Sequence, residues 1–320
     1  MYKPEHNNAV LEARHVTKVF EVAGGRELYA NNDINLALFK GQTLGIAGES
    51  GCGKSTLAKI LVQLDKPTNG EILFKGQNLA KLNGIRLHQY RRHIQMVFQD
   101  PIAAFNPKMK IKHIICEPLL NYGIIRRGEI KREAIRLLEM VELPGEFAER
   151  HPHGMSGGQR QRVGIARALA LGPEVLICDE ATSALDVSVQ KNIIELLIRL
   201  QKEKNIAIAF ICHDISLVRS ISHQVAIMYL GNVVELLPGK MLGSTMVHPY
   251  TQALLDSIFS IDMDFSKKLD CIDSEASSLL NAQNGCPFQG RCKHYMDICK
   301  HEMPVLKEVS ENHKIACHLY

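Results

Sequence analysis

Apolar and polar positions nearly alternate over residues 10–16 and 33–39, with Ala23-Gly24-Gly25 between the two stretches. The pattern predicts two antiparallel strands and a turn. The rhythm changes at Thr43-Leu44-Gly45-Ile46-Ala47, which is apolar and small throughout and reads as a buried strand. Residues 56–64 carry helical spacing, Pro67 to Gly70 interrupts it, and 71–74 resembles another strand. From Pro101 to about Met155 the spacing is helical and strand-poor, with 131–141 the clearest amphipathic helix. Alternation then resumes, with helices at 159–170, 189–202 and 217–221 and strands at 175–179, 206–211 and 224–229. This order predicts an α/β domain with a mostly parallel sheet and an inserted helical subdomain at about 101–164. There is no internal repeat. A small-residue, polar stretch at 274–284 reads as a linker before the tail.

Composition narrows the function only slightly. The 320 residues are 46% hydrophobic and 22% charged, with a net charge of +4. That is too mild a balance to point to nucleic acid or an anionic membrane surface. No segment approaches the run of about 20 apolar residues that crosses a bilayer, and residues 1–8 lack a signal-peptide core. A cytoplasmic protein tied to a membrane only through other proteins is therefore expected. Nine cysteines are present, and Cys286, Cys292, Cys299 and Cys317 crowd into the last 35 residues. In a cytosolic chain such clustering points to metal before disulfide.

The candidate chemistry starts at Gly48-Glu49-Ser50-Gly51-Cys52-Gly53-Lys54-Ser55, which fits G-x-x-x-x-G-K-[ST] in full. Glycines there let successive N–H groups turn toward phosphate oxygens, and the following helix, with Thr56 in its first turn, adds its positive end. Lys54 is expected on the β- and γ-phosphates and Ser55 on magnesium. Val175-Leu176-Ile177-Cys178 would bury a strand and deliver Asp179 and Glu180 at its C-terminal end, where α/β sheets hold ligands. Asp179 is expected to hold magnesium through water and Glu180 to polarise the attacking water. Taken without the phosphate loop, the same strand reads as core ending in two solvated acids.

Met155-Ser156-Gly157-Gly158-Gln159, continuing through Arg160-Gln161-Arg162 and Ala166-Arg167-Ala168-Leu169, closely resembles the signature of ABC ATPases, with Met155 where Leu is usual. The resemblance runs from about Ala9 to the C-terminus. It implies a RecA-like parallel core with an antiparallel β subdomain, and ATP sandwiched between two domains. Ser156, Gly157, Gly158 and Gln159 would contact the nucleotide of the partner. Gln99 matches the glutamine that senses magnesium and water. Asp186 lies in the loop that crosses the dimer, and His213 matches the switch histidine. Phe20 stands where the family stacks an aromatic on adenine, although a core phenylalanine fits the pattern nearly as well. Ala181 replaces the usual proline after the catalytic glutamate.

Within the family, Phe98-Gln99-Asp100-Pro101, Tyr229-Leu230-Gly231, Val234-Glu235 and His248-Pro249-Tyr250-Thr251 resemble the dipeptide and oligopeptide importer branch. The implied division is a nucleotide-binding domain at 1–245 and an extension at 246–320. Implied partners are two transmembrane permease subunits, a second and distinct ATP-binding subunit, and an extracytoplasmic substrate-binding protein, at the cytoplasmic face of the inner membrane, with no nucleic acid. Residues 79–83 and 94–99 also resemble nickel importer subunits, so a nickel or metal-chelate importer is the alternative. A soluble ABC ATPase acting on ribosomes or DNA is the alternative from another class. The four tail cysteines resemble an extension able to hold a four-iron four-sulfur cluster. Four thiolates suit iron–sulfur or structural zinc, and free thiols remain open. The tail is expected to be too small and polar to bury a core of its own, and, lying far along the chain, to leave ATP binding at Lys54 untouched.

Overall fold

The computed structural model describes residues 9–183, 185–243, 247–257 and 285–320. The boundary expected at 245/246, the linker at 274–284, Ala184 and Cys271 fall outside the described residues. Two compact bodies result. Among the described residues, one takes 9–11, 38–43 and those within 81–211, and the other takes 12–37, 44–80 and those within 212–320.

In chain order, β1 (Ala9–Val22) and β2 (Arg26–Phe39) realise the expected strand pair at greater length. The fully buried β3 (Thr43–Ala47) enters the phosphate loop, and α1 (Lys54–Leu61) leaves it, two residues earlier than the apolar spacing predicts. β4 (Asn69–Phe74) and β5 (Gln77–Asn78) complete a four-stranded sheet in the order β2-β1-β4-β5. α2 (Gly84–Arg91) buries only Leu87, so no apolar stripe announced it. Then follow β6 (Ile94–Val97), α3 (Ile111–Asn121), α4 (Ile130–Met140), α5 (Gly157–Leu169), β7 (Val175–Asp179), α6 (Val187–Lys204) and β8 (Ala207–Ile211). α7 (Ile215–Ile221), β9 (Gln224–Tyr229), β10 (Asn232–Pro238), α8 (Pro249–Asp256), α9 (Ile298–His301), β11 (Lys307–Ser310) and β12 (His313–Ile315) finish the chain.

In the first body β6, β7 and β8 run parallel, with Val97 opposite Cys178 and Asp179 opposite Ile211. Every residue of β7 and β8 is buried, which is why both read as unbroken apolar runs. The helical region packs Ile114, Ile115 and Leu119 of α3 with Leu137 and Leu138 of α4 and Val163 and Ala166 of α5. Arg167 of α5 adds a 2.7 Å ion pair to Glu117 of α3.

In the second body β3 pairs parallel with β9, β9 antiparallel with β10, and β10 antiparallel with β12, placing Glu235 opposite Ile315. β12 in turn pairs with β11. The tail is buried against the rest of this body and not by a core of its own: its last strands extend the sheet, and Cys286, Phe288, Cys299, Ile315 and Ala316 are buried. A carboxylate sits beneath it. Glu235 has 0% exposure. It accepts the His248 N–H at 3.0 Å and the Thr251 hydroxyl, and pairs with His313 Nε2 at 2.7 Å.

His248 caps α8 by accepting the Tyr250 N–H on Nδ1 at 3.0 Å, with Pro249 in the first turn. Burial holds its imidazole well below the ordinary range, at about 4. The folded state thus prefers the neutral ring. The stability tied to it is complete above the unfolded value near ~6.5 and is lost as the pH falls toward the folded one. Lowering the pH from about 7 to 4 should reduce the unfolding free energy by up to roughly 3 kcal/mol from this group, and the urea midpoint should fall with it. His248→Asn keeps a capping acceptor and should flatten that dependence. An unchanged slope in urea titrations across this range would remove His248 as its source.

Candidate nucleotide site

The phosphate loop lies between β3 and α1 within the second body. Two of its glycines have no room for a side chain. Gly48 (φ 154°) would drive a Cβ into the Met228 carbonyl, and Gly53 (φ 103°) would drive one into the carbonyl of Ala30. Lys54 is buried at 4% exposure, and its Nζ donates to Gly48 O at 2.8 Å and Glu49 O at 2.7 Å. The ammonium therefore points into the concavity of its own loop, where a phosphate would take over from the carbonyls. Cys52 is buried beside it, and burial raises its thiol against the opposing effect of Lys54. Ser50 and Ser55 are exposed and Thr56 half-buried. Phe20 is also exposed, with Lys18 Nζ 4.9 Å from its ring centre, so the core-phenylalanine reading is set aside. His213 is exposed directly ahead of α7, whose N-cap Asp214 accepts the N–H groups of Ser216 and Leu217.

The first body holds the remaining predicted residues. Asp179 ends β7 at 7% exposure. Glu180 follows in the left-handed region (φ 47°), its N–H bonded to Ile211 O at 3.0 Å. Glu180 shares this conformation with eight other non-glycine residues among those described, so it is not by itself a mark of function. Ser183 donates to Glu180 O at 3.0 Å, and Gln99 Nε2 reaches Ser183 Oγ at 3.4 Å, which brings three of the expected elements together. Ser156 caps α5: its Oγ accepts the Gln159 N–H at 3.3 Å while Gln159 Oε1 accepts the Ser156 N–H at 3.0 Å. Gly157 and Gly158 form the first turn of that helix, and the buried Met155 packs beneath it. Asp186 caps α6, and the hydroxyl of Ser188 together with the Val189 N–H hold its carboxyl below the usual range.

The tail brings a contact that no sequence pattern signalled. Arg291 forms a two-point ion pair with Glu49, both bonds 2.9 Å, and also donates to the Tyr229 hydroxyl at 3.2 Å. The Glu49 N–H donates to the Tyr250 hydroxyl at 2.9 Å. Tyr229, Tyr250 and Phe288 pack around this pair with ring centres 4.5 to 5.4 Å apart. Burial alone would lower the Arg291 pKa, but Glu49 and the Tyr229 hydroxyl raise it. Although far along the chain, the tail thus meets the phosphate loop next to Lys54.

The four tail cysteines are neighbours. Burial pushes the Cys286 thiol up to about 11, with Cys299, Cys317 and Cys292 adding to the effect. Burial also raises Cys292, with Cys299 adding to the effect, and Cys317, with Cys292 and Cys299 adding to it. Among the described residues, however, no group of three or more His, Cys, Asp or Glu side chains is arranged to hold a metal ion. The thiols share one small volume without forming a ligand cage. The Ser55 hydroxyl in the second body and the Asp179 carboxylate in the first are each, taken alone, a hard oxygen donor of the type magnesium takes.

A buried strand feeding a glycine-bound phosphate loop, a second glycine-rich helix start, and a strand ending in paired acids define an ABC ATPase cassette. The ABC transporter family model matches residues 31–183, and the model of the oligopeptide/dipeptide transporter C-terminal region matches 234–299. The oligopeptide transport ATP-binding protein AppF of Bacillus subtilis is 44% identical over 98% of each chain. The di/tripeptide transport ATP-binding protein DppF of Pseudomonas aeruginosa is 39% identical over 97% of each. Among solved structures, the ATP-binding cassette MJ0796 in a dimeric post-hydrolysis state with ADP and Pi is 32% identical, with a TM-score of 0.66 over 71% of this chain and 98% of that one. The chain belongs to the ABC transporter ATP-binding proteins of the oligopeptide/dipeptide type, and is an ATPase of that family.

The loop geometry has a direct consequence. Gly53→Ala places a Cβ against the Ala30 carbonyl at a φ that L-residues avoid. Strain of that kind, about 1–3 kcal/mol, should weaken MgATP binding roughly ten-fold or more. Equilibrium nucleotide titration of the folded variant checks this.

Proposed function

We propose that this chain is the ATP-hydrolysing subunit of an importer of dipeptides or oligopeptides, acting from the cytoplasmic face of the inner membrane. The observation that carries the reading is the full-length similarity to oligopeptide and di/tripeptide transport ATP-binding proteins, C-terminal region included. It favours peptides over nickel or metal chelates, and a transporter over a soluble ABC ATPase. Among the described residues no helix is long and apolar enough to cross a membrane, so two permease subunits would supply the pathway and a substrate-binding protein the cargo. The division into a nucleotide-binding domain at 1–245 and an extension at 246–320 is part of the same proposal.

Lys54 and the loop N–H groups would bind the phosphates of ATP, with Phe20 against the adenine. Ser156 to Gln159 of a second ATP-binding subunit would close over them. Ser55, Asp179 and Gln99 would hold magnesium, which supplies charge neutralisation at the phosphates. Glu180 orients and polarises the attacking water, and His213 reads the γ-phosphate. Asp186 lies in the loop facing the partner. ATP favours the closed pair because it binds that state better, and hydrolysis removes the bias. Cys286, Cys292, Cys299 and Cys317 are soft donors of the type an iron–sulfur cluster takes, and assembling one requires the sulfurs to lose their protons and draw together.

Glu180→Gln should reduce turnover in the assembled complex by about a hundred-fold or more while ATP binding persists. Near-normal turnover with the change in both sites would displace Glu180 from this role. Anaerobically purified chain should carry iron and sulfide at about four each if the cluster forms. Metal-free protein with a protease-resistant tail would leave the four thiols as packing groups.

A further inference from the structure

The contact between the tail and the phosphate loop lies outside the nucleotide-binding elements, yet it holds the second residue of that loop. Glu49 is fixed at its carboxylate by the Arg291 guanidinium, with both bonds 2.9 Å. It is fixed at its N–H by the Tyr250 hydroxyl at 2.9 Å, and its carbonyl accepts Lys54 Nζ at 2.7 Å. The first two holds come from residues far along the chain, 242 and 201 positions away. Neither anchor is free to drift. The Arg291 side chain is 7% exposed, and Tyr250 is fully buried among Tyr229 and Phe288. Arg291 ends a short turn begun at Cys286 and directly precedes Cys292. Tyr250 stands in the first turn of α8, whose start is set by His248 and Pro249.

We propose that Arg291 and Tyr250 are positioning residues for the phosphate loop, so that the C-terminal region sets the affinity of this subunit for ATP. The physical basis is pre-organisation. A loop already held in its binding shape loses less freedom when the triphosphate arrives. Arg291 also pairs the charge of a carboxylate carried on the loop itself. The two-point fork suits arginine, and lysine would keep the charge without the fork. The hydroxyl of Tyr250 is the acceptor for one loop N–H, which phenylalanine would leave unpaired.

This inference rests on the loop being the ATP site, and the experiment separates the two claims. MgATP affinity is measured by equilibrium titration on the full chain, well below its melting temperature, with the melting curve recorded for each variant. Lys54→Ala should abolish binding. If it does not, the site assignment fails and the positioning role fails with it. Arg291→Ala should weaken binding about ten-fold, and Arg291→Lys should recover part of the loss. Tyr250→Phe, which keeps the ring packing and alters no charge, should weaken it about three- to five-fold. Should Arg291→Ala not fold, Arg291→Lys and Tyr250→Phe carry the test. Folded variants that bind MgATP within two-fold of the unaltered chain, even with lowered melting temperatures, would overturn the proposal and leave the contact a structural tie.

Discussion

A carboxylate removed from water must be met by donors on every side, since an unpaired buried charge costs several kcal/mol. Glu235 imposes that demand on the second body. Its three partners come from two places: the His248 N–H and Thr251 hydroxyl at the start of α8, and the ring of His313 on β12. The strand pairing of β10 with β12 and the entry angle of α8 are therefore solved together. Once α8 is set, Tyr250 is directed at the phosphate loop, and the aromatic cluster with Tyr229 and Phe288 brings Arg291 to Glu49. Remove the charge and its donors lose their reason to converge.

Residues identified by their resemblance to family motifs have a second, local task. Ser156 and Gln159 satisfy each other's backbone at the start of α5. Asp186 does the same for α6, and the residue after His213 does it for α7. Each of these groups sits at the N-terminal end of a helix, where unpaired N–H groups need acceptors. Several positions of those motifs are thus also the positions that start helices. Substituting one of them perturbs a helix end as well as a site.

Much of this was readable in the chain because the signals are local. β7 and β9 run over the residues their apolar stretches mark, and the glycines around Lys54 announce a loop that admits no Cβ. What escaped reading has no local mark. α2 has one buried residue and hence no stripe, and β11 and β12 are too short for alternation to register. The tie of Tyr250 to Glu49 joins segments about two hundred residues apart, and nothing local around Arg291 marks its pairing with Glu49. The cysteine spacing could be read, but whether four thiols form a cage depends on side-chain directions that spacing does not fix.

The ammonium of Lys54 rests on two carbonyls of its own loop. The cation is thereby satisfied by oxygens of its own chain. On the proposed reading, a triphosphate would exchange with those carbonyls and would not be captured by a bare charge. The net gain would be the difference between phosphate and peptide oxygens, much smaller than either attraction alone. When the nucleotide left, the same carbonyls would take the lysine back, so release would strand no charge.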